Sequence, residues 1–162
     1  EDLVLQRETG LVLRIPLLIG AGPTWEMSGF IFKTLAQIQN TKSSTVDHVG
    51  VRFPTWTEDV AEAVVHILSI EGGGAYHFSS LAGGTKYEWA VELAKLTDSP
   101  MEHITPDREG SGSSSAPRPG NTQLAVEKVR QTGFSRFTPF RDVVKSVFRQ
   151  FSITGFRGLE QR

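Results

Sequence analysis

At 162 residues, 38% hydrophobic and 22% charged, the chain has the length and composition of a single soluble globular domain. It contains no cysteine, which excludes disulfides and thiolate metal sites and makes a reducing cytosol the expected compartment; no apolar run reaches the roughly 18 residues a membrane span needs, and residues 1–7 lack the basic start and apolar stretch of a secretory signal. The net charge of −1 is uneven: from Arg130 onward seven basic residues face two acidic ones, giving +5 and leaving −6 for the rest, so the final segment suits an anionic partner surface, a phosphate pocket or a solvated helix face.

Residues 1–8 read as the end of an amphipathic helix, with Leu3 and Val4 apolar and Thr9-Gly10 as its stop. With no initiator methionine before them, they suggest a piece of a longer protein. Residues 11–20 (LVLRIPLLIG) are nearly all apolar, as in a parallel strand buried on both faces. Pro16 cannot donate to a ladder, so the strand should end near Ile15 and give way to a loop through Ala21-Gly22-Pro23. Residues 30–40 carry Ile31, Leu35 and Ile38 at helical spacing.

The clearest helix opens at Thr55, which with Glu58 spells a capping box, and Val60, Val64, Ile67 and Leu68 follow as its apolar face. Asp59 and Glu62 are explained by the helix dipole. The helix should end near Ile70 at the break Gly72-Gly73-Gly74, and residues 75–79 suit a short strand. Thr85 and Glu88 repeat the capping box ahead of Trp89, Leu93 and Leu96. Residues 101–105 suit a strand, 109–120 a loop and 121–130 a short helix. Thr138 should cap a last helix with Pro139 at its first position and Phe140, Val143, Val144, Val147, Phe148 and Phe151 as its stripe. Alternating strands and helices define an α/β class, with too few strands to complete a doubly wound sheet.

The chemistry-bearing motifs are notable for their absence. No Gly-x-Gly-x-x-Gly or P-loop follows a strand, so the turn that brings backbone amides to a pyrophosphate is missing. No tyrosine stands four residues before a lysine: Tyr76 is followed there by Ser80 and Tyr87 by Val91. His48, His66, His77 and His103 are scattered and lack metal-ligand spacing. No catalytic residue and no metal ligand is therefore assigned.

Several stretches occur in a specific order: GLVLRIPLLIG at 10–20, Asp47-His48 with Arg52-Phe53-Pro54-Thr55, Asp59-Val60-Ala61, Thr85-Lys86-Tyr87-Glu88, Arg118-Pro119-Gly120-Asn121 through Leu124, and Thr138-Pro139-Phe140-Arg141. Over roughly residues 1–150 this set resembles the carboxyl-terminal half of the methionine adenosyltransferase regulatory beta subunits. That family lies in the extended short-chain dehydrogenase/reductase superfamily, beside the dTDP-4-dehydrorhamnose reductases. The resemblance implies an RmlD-like Rossmann fold whose final parallel strands and small mixed substrate-binding lobe are the part in hand, residues 1–150, followed by a tail at 151–162. It implies a non-catalytic subunit that binds the methionine adenosyltransferase catalytic subunit and modulates S-adenosylmethionine synthesis. An NADP-type dinucleotide would be held mainly by a preceding half, with Pro16 and Leu18 near its nicotinamide end and weak or absent binding by these residues alone. The family's tail engages the catalytic subunit; here Phe151, Phe156 and Arg157 keep the aromatic and basic character of an interface anchor. The other reading is an NADPH-dependent reductase of a nucleotide-linked 4-keto sugar, in which Arg118 would contact substrate or anion through its planar fork.

Overall fold

In a computed structural model of the chain, residues 1–110 and 119–153 are described. The order is α1 (Asp2–Leu5), β1 (Leu11–Arg14), β2 (Leu18–Ile19), α2 (Gly29–Gln39), β3 (Ser44–Asp47), β4 (Thr55–Trp56), α3 (Thr57–Ser69), β5 (Gly74–His77), α4 (Lys86–Thr97), β6 (Ile104–Asp107), α5 (Glu127–Gln131) and α6 (Phe140–Gln150). The strands form three parallel pairs: β1 with β5, β2 with β4, and β3 with β6. Each pair is joined by a crossover containing at least one helix, the connection parallel strands require.

Two apolar clusters fill the space between sheet and helices. The larger draws Ile31, Leu35 and Ile38 from α2, Leu93 and Leu96 from α4, and Val143, Val144, Val147 and Phe148 from α6, against Val46 and Ile104 of the β3–β6 pair. The smaller gathers Ala63 and Ile67 of α3, Tyr76 and Phe78 at β5, and Val126, Val129 and Phe134 around α5. In α2 the buried positions are the three that helical spacing predicts. In α4 the capping box is complete, with Thr85 Oγ1 accepting from Glu88 N at 3.2 Å and Glu88 Oε2 accepting from Thr85 N at 2.7 Å.

Other expectations are corrected. The first strand is only half-buried, because β5 is its one neighbour among the described residues, and the segment past Pro16 contributes the short strand β2. Thr55 does not cap α3: it lies in β4, buried, with Oγ1 donating to Phe53 O, while Trp56 occupies the cap position. The buried face of α3 is Asp59, Ala63 and Ile67, and Leu68 is 61% exposed. Strand β3 is absent from the sequence reading, since Ser-Thr-Val-Asp is too short and polar to stand out. Strand β6 lies three residues later than expected and α5 spans only Glu127–Gln131. Thr138 does not cap α6; Pro139 does, without a side-chain bond, and Thr138 turns to Asp59.

Candidate functional site

The segments that follow β1 and β5 meet at Thr55, the first residue of β4. Its backbone N–H donates to Leu17 O at 2.8 Å, and its Oγ1 accepts from Ser80 N at 2.8 Å. One buried threonine, through its backbone N–H and its hydroxyl, thus ties the segment after β1 to the segment after β5, where Phe78 N also donates to Arg14 O at 3.0 Å. Gly20 lets β2 lie close to the first turn of α3, because a Cβ there would collide with Thr57 Oγ1.

On this shelf Pro16 is half-buried and Leu18 is 39% exposed, while the next residue, Ile19, is in the core. Strand alternation accounts for the difference: neighbouring side chains of β2 point to opposite faces. Past Ser80 opens a cleft of about 420 Å³, lined by Ser80, Leu81, Gln123, Leu124, Glu127 and Arg130 among others. Its size falls within the ~300–1,000 Å³ of ligand clefts, and its place beyond strand carboxyl ends is where open α/β sheets bind ligands. Sequence reasoning missed it: the lining comes from two segments some forty residues apart that only the β5–α5 packing joins.

The other sites fall out differently. Arg118, Phe156 and Arg157 lie outside the described residues. Arg52 anchors the segment that follows Arg118, with Nη1 donating to Pro119 O at 3.0 Å and to Val51 O at 2.9 Å. Phe151 is half-buried at the edge of the larger cluster, its ring edge-on to Trp25 at 5.8 Å. Pro16 and Leu18 lie just before and within β2, while Phe151 packs against the larger cluster at the end of α6.

Polar chemistry elsewhere serves the fold. Asp59, 2% exposed, accepts from Thr138 N at 2.6 Å and Thr138 Oγ1 at 2.8 Å, and pairs with Arg136 Nε at 2.9 Å. Arg136 also pairs with Glu62 and with Glu58 at 3.7 Å, and lies over the Trp56 ring at 5.1 Å. The Glu62 hydrogen bond, with the charges of Glu62 and Asp59, pushes the guanidinium pKa up against a smaller effect of burial. His48 Nδ1 lies 2.8 Å from Thr85 Oγ1, His66 Nε2 2.9 Å from Thr132 Oγ1, and His77 Nε2 3.1 Å from Arg14. Among the described residues no group of three His, Asp or Glu side chains could hold a metal ion.

Parallel strands, crossover helices and a cleft beyond a strand end define a Rossmann-like α/β protein. The chain belongs to the RmlD substrate binding domain family, whose pattern it matches over residues 1–153. It is 35% identical over 160 residues to methionine adenosyltransferase 2 subunit beta of Mus musculus, covering 94% of this chain and 47% of that protein. A probable dTDP-4,6-dihydroxy-2-methyloxan-3-one 4-ketoreductase of Streptomyces antibioticus is 27% identical over 96 residues, 59% of this chain and 32% of that one. Among solved structures, dTDP-4-dehydrorhamnose reductase of Clostridium acetobutylicum superposes with a TM-score of 0.74 at 21% identity, covering 88% of this chain and 49% of that one. The corresponding Bacillus anthracis reductase, solved in complex with NADP, has the same TM-score at 16% identity, covering 86% and 48%. The chain spans about half the length of the curated beta subunits it matches. Among the described residues no helix is long and apolar enough to cross a membrane.

Proposed function

We propose that the chain acts in a non-catalytic regulatory subunit that binds the methionine adenosyltransferase catalytic subunit in the cytosol and modulates synthesis of S-adenosylmethionine. The observation that carries this reading is 35% identity sustained over 94% of the chain to a protein named as subunit beta of that enzyme. The match runs over nearly the whole chain, whereas the reductase likeness in sequence is shorter and lower.

Within this reading NADP lies against the segment after β1, with Pro16 and Leu18 offering apolar contact at the strand end. A half-exposed leucine beside a buried isoleucine is what a ring-binding edge needs. The sequence holds no glycine-rich phosphate turn, so the isolated chain should bind the dinucleotide weakly or not at all. Residues 1–150 form the lobe, and 151–162 form the tail that meets the partner through Phe151, Phe156 and Arg157.

Titration calorimetry of the full-length protein against the catalytic subunit tests the reading, with a saturable heat expected and its absence overturning the assignment. Truncation after Ile153 should weaken binding at least tenfold. The cut falls there because Phe151 and Ile153 pack on the core and must stay. The second reading, a reductase of nucleotide-linked 4-keto sugars with Arg118 on the substrate, is favoured by the Streptomyces relative. NADPH consumption by the full-length protein on a dTDP-4-keto sugar would replace the first reading with it.

A further inference from the structure

We infer that the cleft beyond β5 is a binding site for a free α-amino acid with an apolar side chain. Its lining is of three kinds. Leu81, 57% exposed, and the half-buried Leu124 supply apolar surface, and Ser80 and Gln123 supply a hydroxyl and an amide. Glu127 and Arg130, both exposed, supply one negative and one positive charge, and no other charged residue lines the cleft among the described residues. Neither Pro16 nor Leu18 reaches it, so the dinucleotide contact proposed above lies elsewhere.

The fold does not use these two charges. They stand three residues apart on α5, which sets their Cβ atoms about 5–6 Å from one another on one helix face. Glu92 and Lys95 have the same spacing and the same order on α4, and they pair at 4.0 Å. Glu127 and Arg130 do not pair, and neither side chain has an ion-pair or hydrogen-bond partner among the described residues. Lys128, between them, is employed: its Nζ donates to Ala75 O at 2.9 Å and lies 3.8 Å from the centre of the Tyr76 ring. Val126 and Val129 are buried in the smaller cluster and anchor the helix that carries the open pair.

An α-amino acid bears an ammonium and a carboxylate on one carbon, so two opposite charges a helical turn apart can meet both at once. Arg130 donates to the carboxylate through its planar fork, and Glu127 accepts from the ammonium. The side chain then lies against Leu81 and Leu124. A phosphate-bearing ligand fits worse, because one guanidinium faces it, Glu127 repels it, and no aromatic ring lines the cleft for a base to stack on. A protein segment offers no such charge pair, since its amino and carboxyl groups are spent in peptide bonds. The volume of about 420 Å³ is also that of a small-molecule cleft.

Titration calorimetry of the full-length protein with L-leucine and L-methionine tests the site. Saturable binding with a Kd of about 1 mM or tighter is expected for at least one of them; its absence for both overturns the proposal. The corresponding amino alcohol, which lacks the carboxylate, and the N-acetyl derivative, which lacks the ammonium, should each bind about tenfold more weakly or worse. Equal binding by either overturns recognition through both charges, and glycine binding as tightly as leucine overturns the apolar wall. Glu127→Gln and Arg130→Gln should each weaken binding about tenfold, with Leu81→Ser weakening it less. All three side chains are exposed, so melting temperatures should match wild type, and if one variant fails to fold the other two carry the measurement. Unchanged affinity in the folded variants places the amino acid elsewhere and overturns the proposal. Binding of AMP that is lost in Arg130→Gln and kept in Glu127→Gln would replace the amino acid by a phosphate ligand.

Discussion

Asp59 shows how a single carboxylate can decide the orientation of a helix. A buried acid needs donors on every side, and this one has a backbone N–H, a hydroxyl and a guanidinium. Meeting those donors rotates α3 so that Asp59, Ala63 and Ile67 face inward, leaving Val65 and Leu68 in water. Apolar spacing alone points to Val60, Val64, Ile67 and Leu68, of which only Ile67 is buried, because a pattern of hydrophobic letters has no symbol for a paired acid. The signal was present in Thr138 and Arg136, but 79 residues away from Asp59 for Thr138 and legible only once the chain is folded. Asp59→Asn should cost about 2 kcal/mol of stability, the usual worth of hydrogen bonds to a charged group, with Arg136 discounted because it is partly solvated. Urea unfolding measures it; a change below about 0.5 kcal/mol would show that the carboxylate charge contributes little. Phe151 is the second instructive residue, because its ring contacts Trp25 whatever else it does. Phe151→Leu keeps much of that apolar contact, so lost partner affinity at an unchanged melting temperature would mark the ring as an interface anchor.

Among the elements, those whose instructions are local are read correctly from sequence. Helix α4 carries its own start signal in Thr85 and Glu88, and α2 and α6 carry core stripes at helical spacing. Elements defined by a distant partner are misread. Strand β3 exists because β6 accepts it in register from Ser44↔Ile104 to Asp47↔Asp107, and Thr55 abandons its capping role because Ser80 and Leu17 claim its hydrogen bonds. The α4 cap has a pH signature. The Thr85 backbone N–H, bonded to the Glu88 carboxylate, holds its pKa below the usual value, with the Thr85 side chain and His48 assisting against partial burial. A depressed folded pKa means that the cap's contribution is complete above the unfolded value near 4.5 and fades as pH falls through the lowered one. Glu88→Gln should therefore lower the melting temperature at pH 7 and converge with wild type as pH falls through the lowered value. A difference that persists unchanged into acid would refute the carboxylate's role. Thr85→Ala, which removes the other half of the box, should cost about 1 kcal/mol at neutral pH by urea unfolding.

For the molecule as a whole, the α/β class and the parallel pairing are legible in the alternation of strand and helix, and the absence of a phosphate-cradling turn is legible directly. The cleft beside Leu81 and Arg130 is not, because its two walls share no motif and meet only through packing. The cations of α6, Arg141, Lys145 and Arg149, lie between these cases: their spacing is written in the sequence, but whether they face water depends on where the core falls.

The parallel pairing has a consequence for how the chain comes off the ribosome. Leu18–Ile19 must wait for Thr55–Trp56, Leu11–Arg14 for Gly74–His77, and Ser44–Asp47 for Ile104–Asp107. Each of these three pairings waits until some forty to sixty further residues have emerged, several seconds at ~5–20 residues per second. Until then the apolar faces of those strands lack these partners, so synthesis should recruit holding chaperones more strongly than that of a helical bundle of equal length does. Refolding from urea should accordingly take milliseconds or longer rather than microseconds, and stopped-flow fluorescence of Trp25, Trp56 and Trp89 would time it.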